Sequence, residues 1–196
     1  MTAEGNDLQD REDMAHLCAG HDAALNALMS RHAERLFNYL LRQLGDESDA
    51  ADLAQETFVR IYQNRTRYNP SQKFSTWLYA IATNLVRDRF RWRGRHPEVS
   101  LDAESEQGGS LLDTFAQDEA SPGERLAAEE RAAEVRKAVE SLPEELRTAL
   151  ILFQYEELSQ AEIGAILKCS AKAVETRLYR ARAHLRKRLE KVLAEG

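Results

Sequence analysis

Hydrophobic residues recur every three or four positions through most of this chain, which is the spacing of amphipathic helices. A first long stripe follows Asp22, a residue type favoured at helix N-termini, and stops near Gly45. Its members are Leu25, Leu28, Met29, Leu36 and Leu40. A second helix is predicted from about Ser48. Its buried face comprises Leu53, Ala54, Thr57, Phe58, Ile61 and Tyr62.

Asn69 and Pro70 interrupt the pattern, because the residue before a proline is disfavoured in helical conformation. A further helix is predicted over Phe74–Arg93, with the chain leaving it at Gly94. Its apolar stripe comprises Trp77, Leu78, Ile81 and Leu85. The opposite stripe, predicted to be exposed, comprises Thr76, Ala80, Thr83, Asn84, Arg87 and Arg91. Together with a short helix before Gly20, these helices predict a small N-terminal bundle.

Helical periodicity disappears between residues 96 and 122, where prolines, glycines and many acids predict a flexible linker. A second helical domain is predicted from residue 123 to the end of the chain, and Pro143 suits the first turn of one of its helices. Ser159 and Glu162 form a capping-box pattern at the start of a short helix. A turn and a longer basic helix follow, so the sequence predicts a helix-turn-helix in an all-α protein of two small domains.

The formal net charge of −6 conceals a strong asymmetry. Residues 87–95 carry a net charge of +4 and residues 170–191 one of +6, whereas residues 96–130 carry −9. Two basic poles joined by an acidic connector indicate a nucleic-acid partner more strongly than the total charge argues against one. The alternative for each pole is an ordinary solvated face of a helical pair.

Several function classes lack support. No apolar run approaches the ~18 residues that span a membrane, and the acidic N-terminus lacks a secretory h-region. Two distant cysteines imply no disulfide framework, which fits a reducing cytoplasm. No phosphate loop, nucleophile elbow or acid/base pair indicates an enzyme or a cofactor. His16, Cys18 and His21 cluster loosely, but their irregular spacing favours a helix junction over a metal site.

The last helix has the chemistry of a major-groove reader, because the N-terminal side chains of such a helix reach base edges. The base-edge candidates are Lys172, Glu175, Thr176 and Arg177. The phosphate candidates are Tyr179, Arg180, Arg182 and Arg186. Phosphates would repel Glu175, whereas the N4 amino group of cytosine could donate to it.

Three blocks in this order resemble the extracytoplasmic-function sigma factors, the small two-domain sigma subunits of bacterial RNA polymerase. They are DAADLAQETFVRIYQNR (Asp49–Arg65), FSTWLYAIATNLVRDRFR (Phe74–Arg91) and the segment from SLPEELRTAL to AHLRKRL (Ser141–Leu189). Lys168 and Glu175 depart from the family, which often has a small residue or an acid in the turn and a basic residue on the helix. The resemblance implies a region 2 type domain (1–95), an acidic linker (96–122) and a region 4 type domain (123–196).

The resemblance also implies partners and site residues. The contact with the clamp coiled coil of core polymerase would use Asp49, Asp52, Leu53, Gln55, Glu56 and Phe58. Recognition and melting of the −10 element would use Tyr68, Lys73, Thr76, Trp77, Asn84, Arg87, Asp88 and Arg91. Recognition of the −35 element would use Lys172, Glu175, Thr176, Arg177, Tyr179, Arg180 and Arg182.

Within that −10 set, Trp77 is assigned to the core first, and Tyr68 and Lys73 are the candidates for contacting an extruded base. Family habit implies an anti-sigma factor and a linker that follows the active-site cleft and RNA exit path of the polymerase. The competing hypothesis is a two-domain helix-turn-helix regulator that is not a sigma subunit. Transcription with bare core polymerase distinguishes the two, because a regulator needs another sigma factor.

Overall fold

The computed structural model describes residues 3–96 and 122–194, with side chains over 6–96 and 131–190. Every regular element in these ranges is helical, which confirms the predicted all-α class. The helices are α1 (Ala3–Cys18), α2 (Ala23–Leu44), α3 (Glu47–Gln63), α4 (Phe74–Arg95), α5 (Pro122–Glu140), α6 (Glu144–Gln154), α7 (Gln160–Leu167) and α8 (Ala171–Ala194). None of them, within the described ranges, has the length and apolar character needed to cross a membrane. The predicted linker lies outside the described residues except at its ends.

Short-range signals set the helix ends of the N-terminal bundle, α1–α4. Gly45 ends α2 in the left-handed conformation, with φ of +70°, and its N–H donates to the Leu41 carbonyl. Asp46 caps α3, because its side chain accepts a 2.7 Å hydrogen bond from the Asp49 N–H. The bundle core includes Leu28, Leu36, Tyr39, Leu40, Phe58, Ile61, Phe74 and Leu78.

Charged groups hold α1, which is longer than the short helix predicted before Gly20, against α2. Arg31 donates from Nε to Asp10 across 2.9 Å and also pairs with Asp13. His32 Nε2 lies 2.8 Å from the second carboxylate oxygen of Asp10. Asp10 is almost fully buried, so both of its oxygens need such partners.

The buried face of α4 differs in part from the predicted one. Trp77 and Ile81 are only half-buried, whereas Thr76 and Thr83, predicted on the exposed stripe, are 2% and 1% exposed. The prediction is wrong at both threonines because other helices cover that side. Thr83 shares a 2.8 Å hydrogen bond with Tyr39 of α2, and α7 packs against α4. The fully apolar face comprises Leu78, Ala82, Leu85 and Val86.

In the C-terminal domain, α7 and α8 form the predicted helix-turn-helix, and both predicted caps are present. The Ser159 hydroxyl accepts from the Glu162 N–H, while the Glu162 carboxylate accepts from the Ser159 N–H at 2.8 Å. Ser170 Oγ accepts from the Ala173 N–H at 3.2 Å and so starts α8.

The turn between α7 and α8 is tight enough to restrict residue choice. Lys168 ends α7 in the left-handed conformation, with φ of +55°, which is strained for a residue with a side chain. A Cβ added to Gly164 would lie 2.7 Å from the Cys169 carbonyl oxygen. Glycine at position 164 therefore permits the close approach of the turn to α7.

The two domains pack against each other, α4 on α7 and α2 on α6. The Tyr79 hydroxyl of α4 donates to the Glu156 carboxylate, and Thr148 Oγ1 of α6 donates to Gln43 Oε1 of α2 across 3.3 Å. Buried apolar side chains from both domains form one continuous cluster. This contact decides which predicted site residues are accessible.

Candidate nucleic-acid interface

One side of α4 presents polar and basic side chains to solvent. Asn84, Asp88 and Arg91 are exposed, and with Arg95 the last two line a shallow cleft. The Arg91 guanidinium lies 3.3 Å from Asp88, in a pair whose members are 72% and 60% exposed. We call Asn84, Asp88, Arg91 and Arg95 the α4 outer face. It offers amide and guanidinium groups that can exchange water for bases and phosphates at little cost.

Two other arginines of α4 point toward α3. Arg89 Nη1 lies 2.5 Å from Asp49 Oδ1, and Arg93 pairs with the other oxygen of the same carboxylate. Asp49, with a side chain only 13% exposed, is therefore occupied within the bundle. These ion pairs join α3 to α4, and the role of Asp49 in the polymerase contact stays a prediction.

Three residues of the predicted −10 set, Lys73, Thr76 and Arg87, lie on a side of α4 that contacts the C-terminal domain, together with Ala80 and Thr83 of the predicted exposed stripe. We call Lys73, Thr76, Ala80, Thr83 and Arg87 the α4 docking stripe. Lys73 Nζ lies 3.0 Å from Glu162 of α7, and Arg87 Nε lies 3.3 Å from Glu144 of α6. The hydrogen bond to Glu162 raises the pKa of Lys73. Burial alone would raise the pKa of Glu162, but its hydrogen bonds with Ser159 and Lys73 outweigh burial and lower it.

Tyr68, predicted to be free to contact an extruded base, is buried, at 9% exposure. Its ring lies 5.3 Å from Trp77 and 6.3 Å from Phe74, and its hydroxyl donates to the Gln72 carbonyl at 2.8 Å. Burial raises the pKa of Tyr68. In this conformation the ring packs with the half-buried Trp77 as part of the core, because neighbouring aromatics cover it.

Leu53 and Phe58, two predicted polymerase contacts on α3, are core residues. Their exposed fractions are 6% and 4%, and both join the continuous apolar cluster. Leu53 lies four positions before the buried Thr57, and Phe58 lies three positions before the buried Ile61, which is the spacing of a shared inward side on α3. Both side chains therefore lie in the core of the bundle, and their role in the polymerase contact stays a prediction.

The accessible side of α3 carries Asp52 and Gln55, both exposed, and Glu56, which pairs with Arg60 across 2.8 Å. Val59 is 46% exposed on the same side and was missed by the sequence prediction. Its position, four after Gln55 and three after Glu56, is the signal that could have found it. We call Asp52, Gln55, Glu56 and Val59 the α3 outer face.

The first turns of α8 are open to solvent, with one exception. Lys172 and Glu175, 79% and 54% exposed, pair across 2.8 Å, and the Thr176 hydroxyl donates to the Lys172 carbonyl. Arg177 is held more firmly, because its guanidinium lies 2.9 Å from Glu145 of α6 and its side chain is only 21% exposed. Of the four predicted base readers, Arg177 alone pairs with a residue of another helix, so it must leave Glu145 of α6 before it binds DNA.

Further along α8, three side chains predicted to bind DNA lie on or near the surface. Tyr179 is 74% exposed, the largest exposure among the bulky apolar side chains of the described residues. Arg180 is exposed, and Arg182 stacks its guanidinium 5.5 Å from the centre of the Phe153 ring. These groups extend the basic surface away from the start of α8.

A buried carboxylate, Glu156, was missed by sequence reasoning. It is 6% exposed in the loop after α6, accepts a hydrogen bond from Tyr79 and lies 3.5 Å from Arg35 Nε. Burial raises the pKa of Glu156 and also that of Tyr79. A glutamate in a polar loop has no periodicity to reveal burial, so no signal in the sequence identifies it.

The loose cluster of His16, Cys18 and His21 has other contacts. The Cys18 thiol donates to the Arg65 carbonyl across 3.1 Å, and the two imidazole rings meet edge to face with centres 5.9 Å apart. Within the described part of the chain, no group of three or more His, Cys, Asp or Glu side chains is arranged to hold a metal ion.

Family models match both domains. The model described as Sigma-70 region 2 matches residues 28–96, and the one described as Sigma-70, region 4 matches residues 132–185. The chain is 35% identical to the ECF RNA polymerase sigma factor SigW of Bacillus subtilis, over 87% of this chain and 91% of that protein. It is 32% identical to the RNA polymerase sigma-H factor of Pseudomonas aeruginosa, over 96% of this chain and 97% of the relative.

Solved structures share the arrangement of helices. The structure of CnrH in complex with the cytosolic domain of CnrY matches with a TM-score of 0.67 and 28% identity, covering 93% of this chain and 98% of that one. The sigma factor RpoE from Bartonella quintana, solved with the anti-sigma factor NepR, matches with a TM-score of 0.63 at 21% identity, over 84% of this chain and 96% of that one.

Proposed function

The chain belongs to the extracytoplasmic-function sigma factors, which act with bacterial RNA polymerase in transcription initiation, and we propose that each domain carries one promoter-reading surface. Residues 1–95 bind core polymerase and open the −10 element, and residues 123–196 read the −35 element. The observation that supports this division is the presence of two separate exposed polar surfaces, the α4 outer face and the start of α8.

The α4 outer face suits a separated DNA strand. Asn84 can both donate to and accept from a base edge, while Arg91 and Arg95 can hold the phosphates on either side. Extruding a base costs a few kcal/mol, so phosphate contacts beside the extruded base are needed to hold the strand open. Lys73, Thr76 and Arg87 extend this surface when their side of α4 is free.

The start of α8 suits the major groove of a duplex. Lys172, Glu175 and Thr176 are exposed where a recognition helix presents side chains to base edges. Arg177 can join them by leaving Glu145, and Tyr179, Arg180 and Arg182 can contact the phosphates. Glu175 favours cytosine, whose N4 amino group donates.

We assign the contact with the clamp coiled coil of core polymerase to the α3 outer face. Its carboxylates and the exposed Val59 combine charge with apolar area, as transient interfaces do. A regulatory protein is a further proposed partner: CnrH, the 28% identical structural relative, was solved with the cytosolic domain of CnrY. By family habit that partner is an anti-sigma factor.

Sigma factors are initiation factors rather than catalysts, and we assign no catalytic group or cofactor to this chain. Its place of action is with the polymerase, in the bacterial cytoplasm. The segment between the two domains, residues 96–122, carries a net charge of −7 and is suited to a positively lined channel such as the RNA exit path.

Transcription in vitro tests the proposal. Core polymerase lacking any sigma factor is given the purified chain and a library of bacterial promoter fragments, and run-off transcripts are sequenced. We expect transcripts from a subset of fragments that share −35 and −10 sequences. A chain in which Asn84→Ala and Arg91→Ala are combined should lose them, whereas Arg11→Ala, exposed on α1, should not. No transcript without an added sigma factor would favour the regulator hypothesis instead.

A further inference from the structure

The protein's own C-terminal domain packs against the α4 docking stripe. α7 packs against α4, and acids from that domain lie at both ends of the stripe: Glu162 is 3.0 Å from Lys73 and Glu144 is 3.3 Å from Arg87. Each carboxylate lies where a phosphate oxygen would otherwise bind the cation. The C-terminal domain therefore contacts the stripe with the same chemistry as a DNA strand.

A buried polar contact beside the stripe holds the domains together. Glu156, from the loop between α6 and α7, accepts the hydrogen bond from Tyr79 while Arg35 of α2 lies 3.5 Å away. Arg147 Nη1 adds a 3.2 Å hydrogen bond to the Gln43 carbonyl. The interface thus contains specific partners from α2 and α4 on one side and from α6 and its loop on the other.

The same interface leaves several polar atoms unsatisfied. In the part of the chain that the structure describes, Thr76 Oγ1, Gln43 Nε2 and Arg147 Nε are buried without a hydrogen-bond partner. Each such atom has lost hydration without a protein partner in return, which lowers the net stability of the interface. These atoms would regain partners, water or DNA, when the domains separate.

We propose that the C-terminal domain, through α6, α7 and Glu156, competes with promoter DNA for the α4 docking stripe. The closed chain buries Thr76 and holds Lys73 and Arg87 in ion pairs until the domains separate. The inference rests on the proposed role of α4 in promoter opening. The α3 outer face lies away from this contact and stays exposed, so polymerase can engage the closed chain before DNA does.

Energy transfer within the full chain tests the closed state. One fluorophore is attached to native Cys18 and the other to Ala183→Cys on the exposed side of α8, with Cys169→Ser to prevent a third label. We expect high transfer in the free protein. Glu144→Lys should lower it, because a lysine then faces Arg87, and Tyr79→Phe should lower it by removing the hydrogen bond to Glu156. Glu157→Lys is the matched control: it makes the same charge change at an exposed neighbouring position and should leave transfer high.

A charge exchange separates docking from simple destabilisation. Arg87→Glu combined with Glu144→Arg restores an attractive pair and should recover high transfer. Low transfer in the wild-type chain, or the same transfer in Glu144→Lys, Tyr79→Phe and the control, would overturn the proposal. This measurement uses no DNA, so it can fail while the promoter roles stand.

The competition itself is measured with a fluorescein-labelled pool of random 15-nucleotide single strands. If the wild-type chain is open about one time in ten, Tyr79→Phe should bind the pool up to about tenfold more tightly. Unchanged affinity together with lowered transfer would show that opening does not uncover a DNA surface, and would overturn the competition.

Discussion

α4 and α8 are both basic helices with a predicted DNA-binding side, but these two sides differ in how far they are exposed in the folded protein. The start of α8 is open, with Lys172 and Glu175 mostly exposed. The predicted exposed stripe of α4 is divided, since Asn84 and Arg91 face solvent while Thr76 and Thr83 are buried. The hydrophobic periodicity indicates which side of a helix faces the core of its own domain. It does not indicate whether a further helix of the same domain, as at Thr83, or another domain covers the remaining side.

The largest expected effect is on the α8 side of this comparison. Gly164→Ala should destabilise the helix-turn-helix by about 2–4 kcal/mol, because the new Cβ would meet a backbone oxygen that cannot move without opening the turn. That Cβ would lie 2.7 Å from the Cys169 carbonyl. Chemical denaturation, followed by circular dichroism, measures the loss.

Gly94→Ala is the matched control for this substitution. A Cβ at Gly94 meets nothing within 4 Å and lies in a helix, so it should stabilise by about 0.5–1 kcal/mol. Equal effects of the two alanines would contradict the close approach that we assign to the turn.

The next effect concerns the α4 side. Arg87→Ala combined with Arg91→Ala should reduce open-complex formation about 10- to 100-fold, since two phosphate anchors are lost. Binding to core polymerase should change less than about twofold, because neither arginine lies on α3. Permanganate reactivity of −10 thymines and the affinity for core polymerase measure the two. Unchanged permanganate reactivity of the −10 thymines in this double variant would contradict the role of α4 in promoter opening.

Substitutions of Asp49 and Asp52 on α3 distinguish a structural role from a role in binding core polymerase. Asp49→Asn should lower stability by about 1–3 kcal/mol, because Arg89 and Arg93 lose a charged partner that is mostly buried. Asp52→Asn, on the exposed side, should leave stability within about 0.5 kcal/mol and weaken binding to core polymerase. Unfolding and titration of labelled chain with core polymerase check both. If Asp49→Asn weakened binding to core polymerase and left stability unchanged, Asp49 would be assigned to the polymerase contact.

The sequence predicts the features that depend on near neighbours along the chain. Ser159 with Glu162, and Ser170, cap their helices as predicted, because an N-cap bond spans only two or three residues. Gly45 likewise ends α2 through a local backbone preference. These signals suffice for the all-α class and the helix-turn-helix.

Features that depend on two distant segments could not be predicted in the same way. In the sequence, Asp49 is one member of an acidic stripe. In the fold it pairs with Arg89 and Arg93 of α4, which are 40 and 44 positions further along the chain. Glu156 meets Tyr79 from 77 positions away. For such residues the sequence shows a charge but not its partner, and the partner decides between an exposed contact and an internal one.

The docking of the two domains should depend on pH through Glu156. Burial raises the pKa of this carboxyl above its ordinary value of 4.5, while Tyr79, Arg35 and Arg42 face it from α4 and α2. The closed chain therefore holds the proton more tightly than the open chain, and closure weakens as pH rises from the ordinary pKa toward the raised one. Glu162, whose pKa is lowered, weakens closure only as pH falls below its ordinary value of 4.5. Energy transfer should fall as pH rises above the ordinary pKa of 4.5, and a flat profile would contradict this.

Glu156→Gln is the control for that titration. The amide oxygen can still accept from Tyr79, but it does not ionise in this range. Its transfer should stay constant over the same pH interval. A slope that persists in Glu156→Gln would assign the dependence to another group.

The smallest expected effect is on stability and concerns Lys168 in the turn before α8. Lys168→Gly should stabilise the chain by about 0.5–1 kcal/mol, because it removes the left-handed strain of about 1–2 kcal/mol but adds freedom to the unfolded chain. The position has φ of +55° at the C-terminus of α7. Lys168→Ala removes the same charge yet keeps a Cβ, so it should give no such gain. Equal gains from glycine and alanine in thermal unfolding would attribute the effect to charge. A gain from glycine alone would attribute the effect to the left-handed backbone of Lys168. If the −35 sequence selected by the glycine variant is also unchanged, Lys168 lowers stability without contributing to DNA recognition by α8.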